Sequence, residues 1–291
     1  MAGQAVRLPG LPVADRCLVM GVVNVTPDSF SDGGLWFCAQ DAIDHGLALV
    51  ASGADIVDVG GESTRPGAPR VSQAEELRRV APVVAALAGA GAVVSIDTSR
   101  AAVAELAMEA GARLVNDVSG GLADPAMAAL IAKVDVPYVV MHWRGQSADM
   151  DRRAVYDDVV GEVVSELSDR VTALTSAGVD PGRLIIDPGL GFAKQPAHNW
   201  ALLRHLREVG CLRHPAAPFP VLVGASRKRF IGRLLADGDG APRPFDASDD
   251  ATVALTALAA STGAWCVRVH AVPGNADAVR VAARWQAEPA S

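Results

Sequence analysis

The stretch Val93-Val-Ser-Ile-Asp-Thr-Ser-Arg-Ala-Ala-Val-Ala-Glu-Leu-Ala-Met-Glu-Ala-Gly-Ala-Arg-Leu-Val-Asn-Asp117 decides the fold. It opens on a short apolar run ending at Asp97 and passes through a helix-forming segment over 100–110. After stopping at Gly111 it returns to an apolar run ending on Asn116 and Asp117. Continuous apolar runs of this kind read as parallel strands buried on both faces, and the segment between them is a crossover helix. In a closed array of such units, side chains at the C-terminal strand ends converge on one mouth.

The same unit recurs in both directions along the chain. Apolar runs over 17–21, 56–60, 138–142, 184–187, 221–228 and 265–270 end at or near Asn24, Glu62, His142, Asp187, Lys228 and His270. With the two quoted above, they make eight strands. Helical periodicity predicts helices over 41–52, about 72–87, 100–110, 125–133, 156–177, 197–207, 249–261 and 275–285. Gly53, Gly111, Gly178 and Gly263 stand where four of these should stop, and Ser72 with Glu75 reads as a capping box. Eight repeats are compatible with a closed barrel or an open doubly wound sheet. An open sheet gathers its ligand contacts at one switch point, whereas here nearly every strand end is polar. The expectation is therefore an α/β protein, a (β/α)8 TIM barrel forming a single domain over 16–291, preceded by an N-terminal extension over 1–15. The 291 residues suit a fold that typically takes about 250.

Half of the residues are apolar and a fifth are charged, which predicts a large core rather than a disordered chain. A net charge of −7 argues against a nucleic-acid surface, so any anion must be held by a local cluster. Cys17, Cys38, Cys211 and Cys266 show no metal-ligand spacing, which fits a reducing cytoplasm better than a disulfide framework. No leader-like apolar core is seen near the start, and no apolar run approaches the ~18 residues of a membrane span.

Two loops carry unusual chemistry. Asn24-Val-Thr-Pro-Asp-Ser-Phe-Ser-Asp-Gly-Gly34 is dense in turn formers and oxygen donors. Gly61-Glu-Ser-Thr-Arg-Pro-Gly67 adds an arginine suited to bidentate anion contacts. Each alone is an ordinary βα turn; together on one barrel mouth they suggest a mobile cover.

With Ser95-Ile-Asp-Thr98, Asn116-Asp-Val-Ser-Gly120, Met141-His142, Asp187-Pro-Gly-Leu-Gly-Phe192, Gly224-Ala-Ser-Arg-Lys228 and Arg268-Val-His270, these loops make eight motifs in order from Met20 to His270. In this the chain resembles the dihydropteroate synthases, pterin-binding barrel enzymes of folate biosynthesis. The resemblance implies a transferase that joins p-aminobenzoate to 6-hydroxymethyl-7,8-dihydropterin diphosphate, giving 7,8-dihydropteroate and pyrophosphate. It implies pterin binding by Asp97, Asn116, Asp187 and Lys228, with Val118, Met141 and Phe192 as walls. Thr64, Arg65, Arg268 and His270 then hold the diphosphate, Asn24 helps bind Mg²⁺, and Asp97, Lys228 and Arg268 are the catalytic candidates. The family also favours a homodimer and is the usual target of sulfonamides, while the cysteine pattern keeps the expected location cytoplasmic. The chemistry is apt: carboxylates and an amide suit a ring edge rich in N–H donors, and a guanidinium can stack on a flat ring.

One departure concerns the residue after Ser-Arg-Lys, serine in many relatives and Arg229 here. Either Arg229 or backbone N–H groups at the following helix start would receive the aminobenzoate carboxylate. Local alternatives stand beside each assignment: Asp97 as a helix cap, Asp187 as a turn former, His142 as a satisfied core histidine, Lys228 as a solvated charge. Two other functions share the pocket, a methyltransferase domain acting on cobalamin and a catalytically silent paralogue. The first needs no diphosphate apparatus; the second would retain the fold without turnover.

Overall fold

The alternation of apolar runs and helical segments is realised strand by strand. The computed structural model describes residues 6–26, 35–62, 70–145 and 152–287, with the side chains of 35–38 outside that set. The strands are β1 (Leu18–Asn24), β2 (Ile56–Gly60), β3 (Val94–Asp97), β4 (Leu114–Asp117), β5 (Tyr138–Met141), β6 (Leu184–Asp187), β7 (Leu222–Val223) and β8 (Cys266–Val269). Between and after them lie α1 (Leu35–Ala51), α2 (Gln73–Gly89), α3 (Ala101–Glu109), α4 (Ala126–Lys133), α5 (Val159–Ser176), α6 (Pro196–Arg204), α7 (Leu206–Gly210), α8 (Arg229–Leu234), α9 (Asp249–Thr262) and α10 (Val272–Gln286).

All pairings are parallel, in the order β6-β5-β4-β3-β2-β1-β8-β7. The ring closes where Ile186 bridges Val221 and its N–H donates to Pro220 O at 2.8 Å. Closure removes the edges an open sheet would expose and settles the choice in favour of the barrel.

Strand side chains alternate, so one register decides which residues enter the barrel. Leu18, Met20, Ile56, Leu114, Val139, Ile185, Leu222 and Cys266 form an interior cluster, against which Leu8, Leu11 and Trp265 also pack. Their alternate neighbours, among them Val19, Val57, Val115, Val140, Ile186 and Val267, face the helices in a second, larger cluster. Each fully buried Leu, Ile or Val contributes about 1.5–3 kcal/mol relative to exposure. Two residues further along the interior register come Asp58, Asn116, Met141, Asp187 and Arg268, so the apolar floor gives way to a polar layer below the mouth.

Several expectations are corrected. The seventh strand is two residues long, not the eight of 221–228, so Lys228 lies beyond it as the N-cap of α8, the helix start expected after the Ser-Arg-Lys motif. The helix expected over 197–207 breaks at His205 into α6 and α7. Ser72 does cap α2, accepting from Glu75 N at 3.2 Å, but the Glu75 carboxylate pairs with Arg78 and Arg79. Only half of the capping box forms. Gly53, Gly111, Gly178 and Gly263 all have positive φ, as helix-stopping glycines should. No helix among the described residues is long and apolar enough to cross a membrane.

Candidate active site

The polar layer is built around a buried network that crosses four strands. Arg268, on β8, donates from Nε to Asp58 Oδ2 at 2.6 Å and from Nη2 to Asp97 Oδ2 at 2.8 Å. Asn116 Nδ2 donates to the same Asp58 Oδ2 at 2.9 Å. Asp58 is completely buried, Asn116 and Asp97 nearly so, and Arg268 retains some exposure toward the mouth. Gly60 is in register with Asp97, where an added Cβ would sit 3.4 Å from Asp97 Cβ.

Burial pushes the Asp97 carboxyl up to about 7, against the pull of Arg268 and with further upward pressure from Asp58, Glu76 and Asp117. Burial works against the Arg268 charge, yet Asp58 and Asp97 outweigh it and hold the guanidinium protonated. Asp58, Asp97 and Arg268 thus leave this network one negative charge in excess when both acids are ionised. Such a site favours a ligand that brings hydrogen-bond donors or developing positive charge.

Asp187 closes the far side of the layer. It does begin a turn, since its Oδ1 accepts from Gly189 N at 2.7 Å, and burial raises its pKa against that bond and the nearby Lys228. The turn follows tight geometry: Gly189 has φ +68°, and a Cβ there would collide with the His142 backbone O. Gly224 leaves the space between Asp187 and Arg268 open, its absent Cβ falling 3.8 Å from Asp187 Oδ2 and 4.0 Å from Arg268 Cβ.

Lys228 reaches the layer through a different device. Arg227 before it has φ +57°, unusual for a side chain with Cβ, and is held by Nε and Nη2 bonds of 3.1 and 2.8 Å to Asp249. Lys228 Nζ lies 4.1 Å from the centre of the Phe192 ring, and Gly191 makes room for its stem. Burial lowers its pKa to about 8, against the attraction of Asp187. Ser226 of the same segment lies 3.0 Å from His270 Nδ1 and accepts from the His270 backbone N–H at 3.2 Å. Met141 is buried at the end of β5, and Val118 is partly buried just past β4.

Asp97, Asn116, Asp187, Met141 and Arg268 are therefore placed on one interior layer, with Lys228, Phe192 and His270 at its rim. Asn24 ends β1, its backbone beside Gly60, and is partly buried. Among the described residues no three His, Cys, Asp or Glu side chains converge as a metal cage. A lone amide oxygen at the mouth suits a hard cation held mainly by substrate oxygens and water. Thr64 and Arg65 lie outside the described residues, as does most of the first loop. Arg229 is exposed.

The local alternatives resolve in particular ways. Asp97 is not the cap of α3, a position taken by Arg100. His142 is a satisfied core histidine: its Nε2 lies 3.0 Å from Glu166 and its Nδ1 2.9 Å from Lys194 Nζ, and burial lowers its pKa to about 4. Asp117 faces outward, accepting from Tyr138 Oη at 2.7 Å and from Ser119 and Gly121, so it is spent on structure. Asp58 had been passed over. Its parity with the buried Ile56, two residues earlier, is the signal that places it inside the barrel.

A barrel whose mouth gathers carboxylates, an amide, an ammonium and a guanidinium has the chemistry to bind a heterocycle rich in N–H donors. Residues 20–270 match the family model for pterin binding enzymes. The chain is 57% identical to the dihydropteroate synthase of Mycobacterium leprae over 268 residues, covering 92% of this chain and 93% of that one. The Xanthomonas albilineans dihydropteroate synthase solved with 4-aminobenzoic acid superposes with a TM-score of 0.88 at 43% identity, covering 98% of this chain and 100% of that one. The same enzyme in complex with 7,8-dihydropteroate gives a TM-score of 0.82 at 41% identity, covering 94% and 95%. The chain belongs to the pterin-binding enzymes and, within them, to the dihydropteroate synthases.

Proposed function

We infer that the chain condenses 6-hydroxymethyl-7,8-dihydropterin diphosphate with p-aminobenzoate to give 7,8-dihydropteroate and pyrophosphate. The observation that carries the assignment of roles is the buried network of Asp58, Asp97, Asn116 and Arg268 on one layer with Asp187. Asp97, Asn116 and Asp187 take the N–H edge of the pterin, and Lys228 donates to its ring acceptors. Met141, Val118 and Phe192 form the walls, and Arg268 lies against the ring with His270, Thr64 and Arg65 toward the diphosphate.

The diphosphate departs from a carbon attached to an electron-rich ring. C–O cleavage runs largely ahead of C–N formation, and the bonding electrons leave with pyrophosphate. The resulting cation is delocalised into the dihydropterin and stabilised by the Asp97 charge. The arylamine lone pair then forms the new C–N bond, and one N–H proton is released. The protein supplies no nucleophile. A magnesium ion held by Asn24 and diphosphate oxygens would neutralise charge on the leaving group. Two Gly-rich loops around one mouth support ordered binding, with p-aminobenzoate second.

A homodimer fits the exposed Leu258, Val281 and Trp285 on α9 and α10, and a cytoplasmic site fits the free Cys17, Cys211 and Cys266. Purified protein supplied with Mg²⁺ and both substrates is expected to form dihydropteroate and pyrophosphate one for one, with Lys228→Ala and Asp97→Ala strongly impaired. Methyl transfer to cobalamin, or a folded protein that binds pterin without turnover, would overturn this function.

A further inference from the structure

Asp58 stands apart from the substrate-facing set, yet it holds two members of it. One of its oxygens, Oδ2, accepts from both Arg268 Nε and Asn116 Nδ2. The other, Oδ1, is buried without a hydrogen-bond partner, as is Ser95 Oγ on the neighbouring strand in register with Asp58. A buried ionised oxygen is costly to leave unpaired, and its bare state calls for a reason. A guanidinium meets a carboxylate best through two parallel N–H bonds from Nε and one Nη. Here Arg268 makes only half of that fork, because its Nη2 is turned to Asp97.

We propose that Asp58 is a positioning residue that retains Arg268 by Nε while Nη2 transfers from Asp97 Oδ2 to Asp58 Oδ1 when the pterin binds. Asp97 is thereby handed to the ring N–H groups, and Arg268 completes a two-bond fork that sets its plane against the ring. The unpaired Oδ1 is the seat kept for that transfer. The free protein thus protects the Asp97 carboxylate with Arg268 and exchanges one donor for another without leaving the acid bare. Asn116, held by the same Asp58 oxygen, keeps its orientation throughout. The negative charges of Glu76 on α2 and of the outward-facing Asp117 on β4 also act on Asp97 through space, so the charge of Asp58 is one of three acting on it beside Arg268.

This inference rests on the pterin reading of the site, and turnover by the unaltered enzyme tests that reading separately. In Asp58→Asn, shape is kept but the negative seat is lost, leaving Arg268 committed to Asp97. The expected result is a fall of about 10- to 100-fold in kcat/KM for the pterin diphosphate, from misplacement of positioned groups. Its acid limb should also move to lower pH, because a negative neighbour has been removed and Arg268 is held closer. A folded Asp58→Asn enzyme with unchanged kcat/KM and an unmoved limb overturns the proposal. Should that variant fail to fold, a crystal structure of the unaltered enzyme with pteroic acid decides. Arg268 Nη2 within hydrogen-bond distance of Asp58 Oδ1 supports the transfer; Nη2 still on Asp97, or Oδ1 taken by Ser95 or a water, overturns it.

Discussion

At the scale of single residues, the account turns on charges held in an apolar barrel. Asp97 titrates near 7 in the folded protein against about 4 in the unfolded chain. The folded state therefore binds the extra proton between those values, and stability falls as pH rises from about 4 to about 7. Urea titrations of the free protein should show that loss, and Asp97→Asn should abolish it. Arg268→Ala leaves two buried carboxylates without their shared partner and is expected to cost about 3–5 kcal/mol in the same measurement. Most of these residues were legible because each closes an apolar run. Asp58 was not, because it lies inside its run, where only parity with Ile56 betrays its direction. Lys228 was legible as a functional lysine, but not its distance from the strand end: its placement depends on the left-handed backbone of Arg227 and the Asp249 clamp, contacts 22 residues apart.

At the scale of elements, the turn after β6 shows how backbone shape serves the site. Asp187, Gly189, Gly191 and Phe192 share one short segment, and Ala193 in it has φ +47°. Such geometry persists only where surrounding bonds overdetermine it. Gly191 N donates to Asn199 Oδ1 at 2.7 Å, and Lys194 Nζ donates to Phe192 O at 3.1 Å while also meeting His142. Gly189→Ala should therefore shift the turn. The expected outcome is a loss of more than about 1 kcal/mol of stability and a raised KM for the pterin substrate, read by unfolding and steady-state kinetics. The helix ends at Gly53, Gly111, Gly178 and Gly263 were readable because glycine alone takes that conformation freely. The break at His205 and the brevity of β7 were not, since both depend on how neighbouring elements meet rather than on local preference.

At the scale of the molecule, the barrel needs a floor as well as a mouth. Leu8 and Leu11 pack on the interior cluster beneath the strands, a role that a segment with two prolines and little periodicity did not announce. Leu8→Ala with Leu11→Ala is expected to lower stability by about 2 kcal/mol or more per site without altering KM. The exposed apolar residues of α9 and α10 give the proposed dimer its test: Val281→Glu with Trp285→Glu should shift sedimentation from dimer to monomer. The closed ring itself was foreseeable from the number of polar strand ends, because convergent side chains need a common axis.

The most direct test of an ionised Asp97 and a protonated Lys228 acting together on the pterin is the pH dependence of kcat/KM for the pterin diphosphate. Asp97 loses its charge as pH falls through about 7, and Lys228 loses its proton as pH rises through about 8. A narrow bell between those values is expected, with Asp97→Asn flattening the acid side of whatever activity remains and Lys228→Arg the alkaline side. A bell unchanged in both variants would contradict that pairing.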